Sequence, residues 1–313
     1  MSPPPPPPPA SAAGAALPAP AGGGIPAARS AERIKDVVFR WLLILCIVAS
    51  AVLLGTLFYD VIRDGGSKLS LDFLTSQPSR LSTRIDSAGL ASALSGTVWL
   101  MAVCTAFIVP VGVATAIYLE EYADNTRWYN RLVEVNIQNL AAVPSVVYGL
   151  LGLAFLVRGP LSLGRVILAG GLTLGLLVLP VVIIAGREAI RAVPPSIREG
   201  SMALGATKWQ TIYKQVLPAS IPGVATGVIL ALSRAAGETA PLLIIGAAGF
   251  VAFNPDGLLS EFTALPIQIF VWSTDSQDQF KTLAAGGILV LMILIVLMNS
   301  VAIWLRNRYE QKW

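Results

Sequence analysis

Hydrophobic residues fall into six long stretches along this chain, at about 38–62, 90–118, 137–157, 166–186, 219–248 and 283–305, with more polar segments between them. A helix needs about 20 residues to cross the roughly 30 Å hydrocarbon core of a bilayer, and each stretch supplies them. The pattern predicts an all-α, polytopic membrane protein with six transmembrane helices. The first run begins near Val37. It outlasts the roughly 7–15 apolar residues of a signal-peptide core and has no small-residue cleavage pattern close behind it, so it should remain as an anchor.

Composition agrees with the pattern: 55% of residues are hydrophobic and 13% charged, against about a quarter charged in ordinary soluble domains. Residues 1–36 stand apart. They carry the run Pro3 to Pro9 and then mostly Ala, Gly and Pro, a mixture that cannot bury enough apolar surface to offset the entropy of ordering. A disordered cytoplasmic tail is expected there. A first span with an extracytoplasmic loop follows at 37–89. A helical core is expected over 90–306, with a patterned segment at 187–218, and a short cytoplasmic tail over 307–313.

With the N-terminal side taken as cytoplasmic, its segments hold 14 basic residues, from Arg29 to Lys312, against 7 on the other side. By the positive-inside rule both termini then lie in the cytoplasm. The basic residues are spread over loops rather than gathered on one face, which argues against a nucleic-acid partner. Cys46 and Cys104 both sit in apolar stretches, and the chain has no histidine. A disulfide framework, a zinc site and a His-based proton relay are therefore not expected.

The stretch Arg187 to Pro218 is too regular for a passive connector. Ser196 with Glu199 fits a capping box for one short helix, which Gly205 would end in a left-handed turn. Thr207 with Gln210 fits a second box. Trp209, Ile212, Tyr213 and Val216 then share an apolar face, until Pro218 would stop the helix. Such a pair of helices suits either the lipid headgroup region or a docking surface for another protein.

Deep within the fifth stretch lie Arg234 and Glu238. Each would cost about 2.5–3.5 kcal/mol at the membrane centre, and such an expense usually marks function. Their spacing of four puts both on one helical face, where they can pair. A buried ion pair that fixes helix register is one reading. A path for an anion is another, in which Arg234 attracts the anion and Glu238 keeps it from binding too tightly to leave. Gly223, Gly227, Ala231 and Ala235 make a small-residue stripe for close helix contact, and Pro241 can kink the helix. In the third stretch Pro144 can break the helix and expose Ser145 to a passing anion, although a simple kink with Ser145 bonded back to its own helix fits better. Tyr148 fits packing equally well.

The segment EGSMALGATKWQTIYKQVLP, Glu199 to Pro218, resembles the cytoplasmic signature of ABC importer permeases. Glu199, Gly205, Leu217 and Pro218 match at the family spacing, while Gly200 and Ser201 replace two alanines and Gln215 stands where an aliphatic residue is usual. ALSRAAGETAPLL in the fifth stretch, NLAAVPSVVYGL in the third and the outer-loop stretch TALPIQIFVW are similar to phosphate-import permeases of the PstA type. The resemblance covers most of the chain from about residue 90 and leaves out the Pro-rich tail.

It implies a type I importer permease in a prokaryotic inner membrane, paired with a homologous second permease, an ABC ATPase dimer and an extracytoplasmic phosphate-binding protein. Residues 187–218 would be the coupling segment. Gly205 would make its turn, Trp209 and Ile212 its buried anchors, and Arg198, Lys208 and Lys214 its polar rim. Arg234 and Glu238 would lie on the phosphate route. The chain has no G-x-x-x-x-G-K-[ST] loop, so no cofactor is expected on it, and ATP and Mg would bind the partner ATPase. A permease for molybdate or sulfate is the nearest rival. An ion-gradient transporter or channel is a more distant one, because such machinery commonly uses several intramembrane acids. An intramembrane enzyme is disfavoured because no histidine stands ready to activate Ser145.

Overall fold

In the computed structural model the described residues are 30–79, 87–124, 126–247 and 249–309. Residues 1–29 of the tail expected over 1–36, the last residues 310–313, and Arg80, Arg84 and Lys312 lie outside them, whereas residues 30–36 open the first helix. The chain divides into two units, one ending at Leu57 and one starting at Phe58. Most of α1 (Ser30–Gly65) belongs to the first. The second begins with the end of α1 and a short helix, α2 (Leu71–Thr75), capped where the Ser70 hydroxyl accepts from the N–H of Phe73 at 3.1 Å.

Five helical stretches among the described residues are long and apolar enough to cross a membrane: Lys35–Lys68, Ala91–Tyr122, Ile167–Arg191, Lys208–Gly237 and Asp278–Arg308. A sixth would be a bent pair, Trp128–Ala141 and Ser145–Val157, whose axes meet at 108°. Four of the uninterrupted five overlay the expected stretches. The differences fall in the third and fifth stretches and in the loop after the fifth.

The second unit is built around α6 (Ile167–Arg191). It packs along α3 (Ala91–Ile117) on one flank and α9 (Leu217–Gly237) on another. Their shared core holds Leu100, Ile108, Leu174, Val178, Ala231 and Ile245. The α6–α9 contact is close because Gly223 faces Ala189 and Gly227 faces Ala185, where any side chain would collide. The small-residue stripe seen in the sequence thus sets the helix spacing. The last helix, α12 (Asp278–Tyr309), packs on α9, and the Ser233 hydroxyl joins the two by donating to Asn299 Oδ1 at 2.7 Å.

Thr263 to Trp272 was expected in an outer loop, yet most of it is a buried helix, α11 (Leu265–Ser273). Pro266 suits its first turn, where an N–H would have no helical partner. The N–H of Leu265 donates to the buried Thr97 hydroxyl at 2.8 Å. Trp272 is 2% exposed and stacks on Phe73, with centroids 6.2 Å apart. The uncharged run Thr263–Trp272 was the available signal, too short for a span and long enough for a core helix.

Candidate functional site

Two regions gather the residues singled out by the sequence. One is the elbow between α6 and α9. The other is where two membrane stretches are interrupted.

The elbow begins with α7 (Pro195–Ala203). Pro194 precedes it and Pro195 opens it, so the expected capping box from Ser196 to Glu199 does not form; proline at the first position sets the start instead. Gly205 follows with φ +86°, the left-handed turn expected of it. A short α8 (Lys208–Thr211) comes next, and its capping box is complete, with Thr207 and Gln210 bonded reciprocally. Pro218 does not stop this helix. The chain runs on through a π-helical turn, Ile212–Val216, directly into α9. A wider turn lets the ladder skip the hydrogen bond that Pro218 cannot donate, so an apolar stretch is helical from Lys208 to Gly237.

The anchors are redistributed. Trp209 and Tyr213 stack on each other, 6.2 Å and 17° apart, and both are exposed. Leu204 at the tip is 91% exposed and Met202 is exposed too. Ile212, expected to be an outward anchor, is 2% exposed and faces this chain's own interior. Glu199 is exposed, whereas Leu217 and Pro218 form the root of α9. A groove lined by Ile197, Ser201, Leu204, Gln210 and Lys214 runs between the two short helices.

Arg198 and Lys208, expected on the rim, bond inward. Arg198 meets the Glu121 carboxylate at 3.0 Å and donates to the carbonyls of Val193 and Ile190 at 2.6 and 2.8 Å. Lys208 donates to the Glu121 carbonyl and lies 4.9 Å from the centre of the Tyr122 ring. Glu120, beside them, receives a two-pronged bond from Arg191 at 2.9 and 3.0 Å and stands 3.5 Å from Arg187. Arg187 is 8% exposed and also reaches Glu134 at 2.9 Å. Sequence reasoning missed this cluster because its partners stand 53 to 87 residues apart. The visible trace was an adjacent pair of glutamates closing the second apolar stretch while arginines closed the fourth. The connector beyond it is fastened by Asp124, which accepts from the Thr126 hydroxyl at 2.6 Å, a bond that holds its carboxyl below the usual range.

In the third stretch the chain is interrupted rather than kinked. The first half, α4 (Trp128–Ala141), is capped at Ala142, and the second, α5 (Ser145–Leu151), starts after Pro144 and runs into a π-helical turn, Gly152–Val157. Proline disfavours helical geometry in the residue before it, here Val143, which separates the halves. The Tyr148 hydroxyl bridges the break by donating to Leu140 O at 2.8 Å, so Tyr148 does more than pack. Pro144 is exposed and Ser145 partly buried. The expected bond of Ser145 back to its own helix does not form, and its hydroxyl has no partner among the described residues.

The fifth stretch breaks as well. Glu238 is extended, with φ −76° and ψ 120°, and Thr239 leads into α10 (Ala240–Ile245). Pro241 cannot donate to the turn before it and crowds that turn, so the interruption falls just upstream. Arg234 and Glu238 therefore do not share a helix turn as their spacing suggested, yet they still meet, Nε to Oε1 at 3.4 Å. The Arg234 side chain is 44% exposed and that of Glu238 19%. The other guanidinium N–H groups of Arg234 have no partner among the described residues. α10 packs against α5, with Pro241 seated on Gly149, so the helix after one break lies on the helix after the other.

A family model described as "Binding-protein-dependent transport system inner membrane component" matches residues 108–313. "Probable ABC transporter permease protein YqgI" of Bacillus subtilis is 30% identical over 293 residues, covering 90% of this chain and 98% of that one. "Phosphate transport system permease protein PstA 1" of Mycobacterium tuberculosis is 35% identical over 219 residues, 70% of each chain. Among solved structures, a bacterial alginate ABC transporter in complex with an alginate pentasaccharide-bound periplasmic protein superposes with a TM-score of 0.61 at 16% identity, over 89% of this chain and 98% of that chain. At that identity the likeness is one of fold.

Proposed function

We propose that this chain, which belongs to the family of binding-protein-dependent inner membrane transport components, is the permease subunit through which an ATP-driven importer moves inorganic phosphate inward. The architecture is that of a type I ABC importer permease. Relatives named as phosphate permeases, at 33% to 35% identity, support the choice of substrate. The observation that carries it is Arg234: a cation beside two broken helices, with most of its donors open.

A guanidinium presents a planar fork matched to a phosphate's oxygens. Glu238, at the edge of hydrogen-bond length, holds that fork in place without using it up. It also sets a negative charge beside the anion, which weakens the grip and favours release. Pro144 and Ser145, at the neighbouring break, would line the route and offer a hydroxyl. Glu199, Gly205, Lys208, Trp209, Ile212, Leu217 and Pro218 belong to the ATPase-coupling segment, with Trp209 and Leu204 as its outward contacts. The partners are a dimeric ABC ATPase that holds ATP and Mg, a homologous second permease and an extracytoplasmic phosphate-binding protein. Both termini face the cytoplasm.

Vesicles containing the full complex test the reading. Labelled phosphate should enter only with ATP and binding protein present, and unlabelled phosphate should compete where sulfate and molybdate do not. Preferential competition by either of those two oxyanions would overturn the substrate.

A further inference from the structure

We infer that Glu121 is a mechanical joint that ties the ATPase-facing elbow to the second membrane-spanning stretch, Ala91–Tyr122, so that this stretch moves with the elbow as directly as α9 does. The inference rests on the reading of residues 187–218 as the coupling segment.

In sequence the elbow is continuous only with α6 and α9. In space both of its halves are fastened to the end of the second stretch. From α7, Arg198 reaches the Glu121 carboxylate at 3.0 Å, and the same guanidinium holds the carbonyls of Ile190, in the last turn of α6, and Val193, just beyond it. From α8, Lys208 bonds the Glu121 carbonyl and covers the Tyr122 ring. One residue thus receives α7 through its side chain and α8 through its backbone. The hydroxyls of Ser201 and Thr211, 2.9 Å apart, join the two halves of the elbow to each other, so they shift as one piece.

Burial decides that this contact is more than a surface ion pair. The Glu121 side chain is 10% exposed and that of Arg198 20%. Exposed pairs contribute little, whereas separating a buried, hydrogen-bonded pair strands a charge away from water. Arg198 spends its fork on three acceptors in fixed directions, a geometry that a single ammonium could not hold. The elbow therefore cannot shift and leave the second stretch behind. Glu120 and Glu121 also sit in a π-helical turn, Tyr118–Tyr122. The other end of the connection, Ile212–Val216, is a π-helical turn too. Turns of this kind are where helices kink and re-aim, so the joint has a point of re-aiming on each side and a rigid clasp between.

The experiment uses the complete complex in vesicles and reads ATPase association, hydrolysis rate and phosphate imported per ATP. Glu121→Gln and Arg198→Gln should each leave association and hydrolysis in place and lower the transport ratio about tenfold, the scale of an ordinary coupling free energy. The double variant should be no worse than either single one, because both break the same joint. Glu188→Gln, which removes an exposed partner of Arg191, should change nothing. An unchanged ratio in either single variant would overturn the joint. So would additive losses in the double variant, or transport and hydrolysis falling in proportion. If the wild-type complex itself imported no phosphate with ATP, the parent reading would fail and the joint with it.

Discussion

The elbow and the broken helices treat charge in opposite ways. At the elbow, Arg187, Arg191 and Arg198 are each bound to carboxylates, and Arg198 to two carbonyls besides. At the breaks, Arg234 makes one long contact and keeps its side chain 44% exposed. Pairs bonded at several points make a rigid piece that can carry force. An unsaturated cation is chemically available to something that comes and goes. One fold thus holds its basic residues in two states, and the state follows from how many acceptors the backbone brings within reach.

The largest effect expected from breaking this contrast comes from Arg234→Ala. Removing a charged hydrogen-bond donor costs about 1.5–3 kcal/mol, or a factor of roughly 10–100 in a binding step. Phosphate uptake should be lost while the complex still assembles, measured by uptake in vesicles alongside pull-down; normal uptake would remove the proposed role. Next is Gly205→Val. A branched residue held at φ +86° is penalised by about 1–2 kcal/mol, so ATPase pull-down should fall by about tenfold, and full retention would count against docking at this elbow.

Less direct in its effect on transport is Gly227→Val, which pushes α9 away from Ala185 in the contact between the two regions. Overpacking of this kind costs about 1–3 kcal/mol, read as earlier thermal unfolding of the purified complex together with partial loss of transport. An unchanged melting profile would mean that α6 and α9 do not need their close seat. The smallest effect belongs to deletion of residues 2–28, which should leave transport nearly unaltered. Loss of uptake by a properly inserted truncation would give that segment a role.

Much of this was legible in the sequence, and what was not has a common cause. Helix length, the left-handed Gly205, the Thr207–Gln210 box and the glycine stripe are local, and each is stated by residues within a turn or two of one another. The Glu121–Arg198 contact joins residues 77 apart, and nothing local foretells which arginine meets which glutamate. The breaks were only half visible. Pro144 and Pro241 announced a disturbance, but whether proline bends a helix or severs it depends on the packing around it, here the seat of Pro241 on Gly149. α4 was largely missed because its mixed surface, with Arg131, Glu134 and Asn136 among apolar positions, does not read as a membrane stretch. Pro218 misled in the opposite direction, since the π-helical turn before it absorbs the fault that would otherwise end the helix.

The uninterrupted run from Lys208 to Gly237 has a geometric consequence of its own. Its 30 residues at about 1.5 Å each make a lever roughly 45 Å long. The fulcrum is where Gly223 and Gly227 bear on α6, nearer its middle than either end. If Leu217–Gly237 turns as one rigid piece about that seat, the end that carries Arg234 swings opposite to the end that joins the elbow.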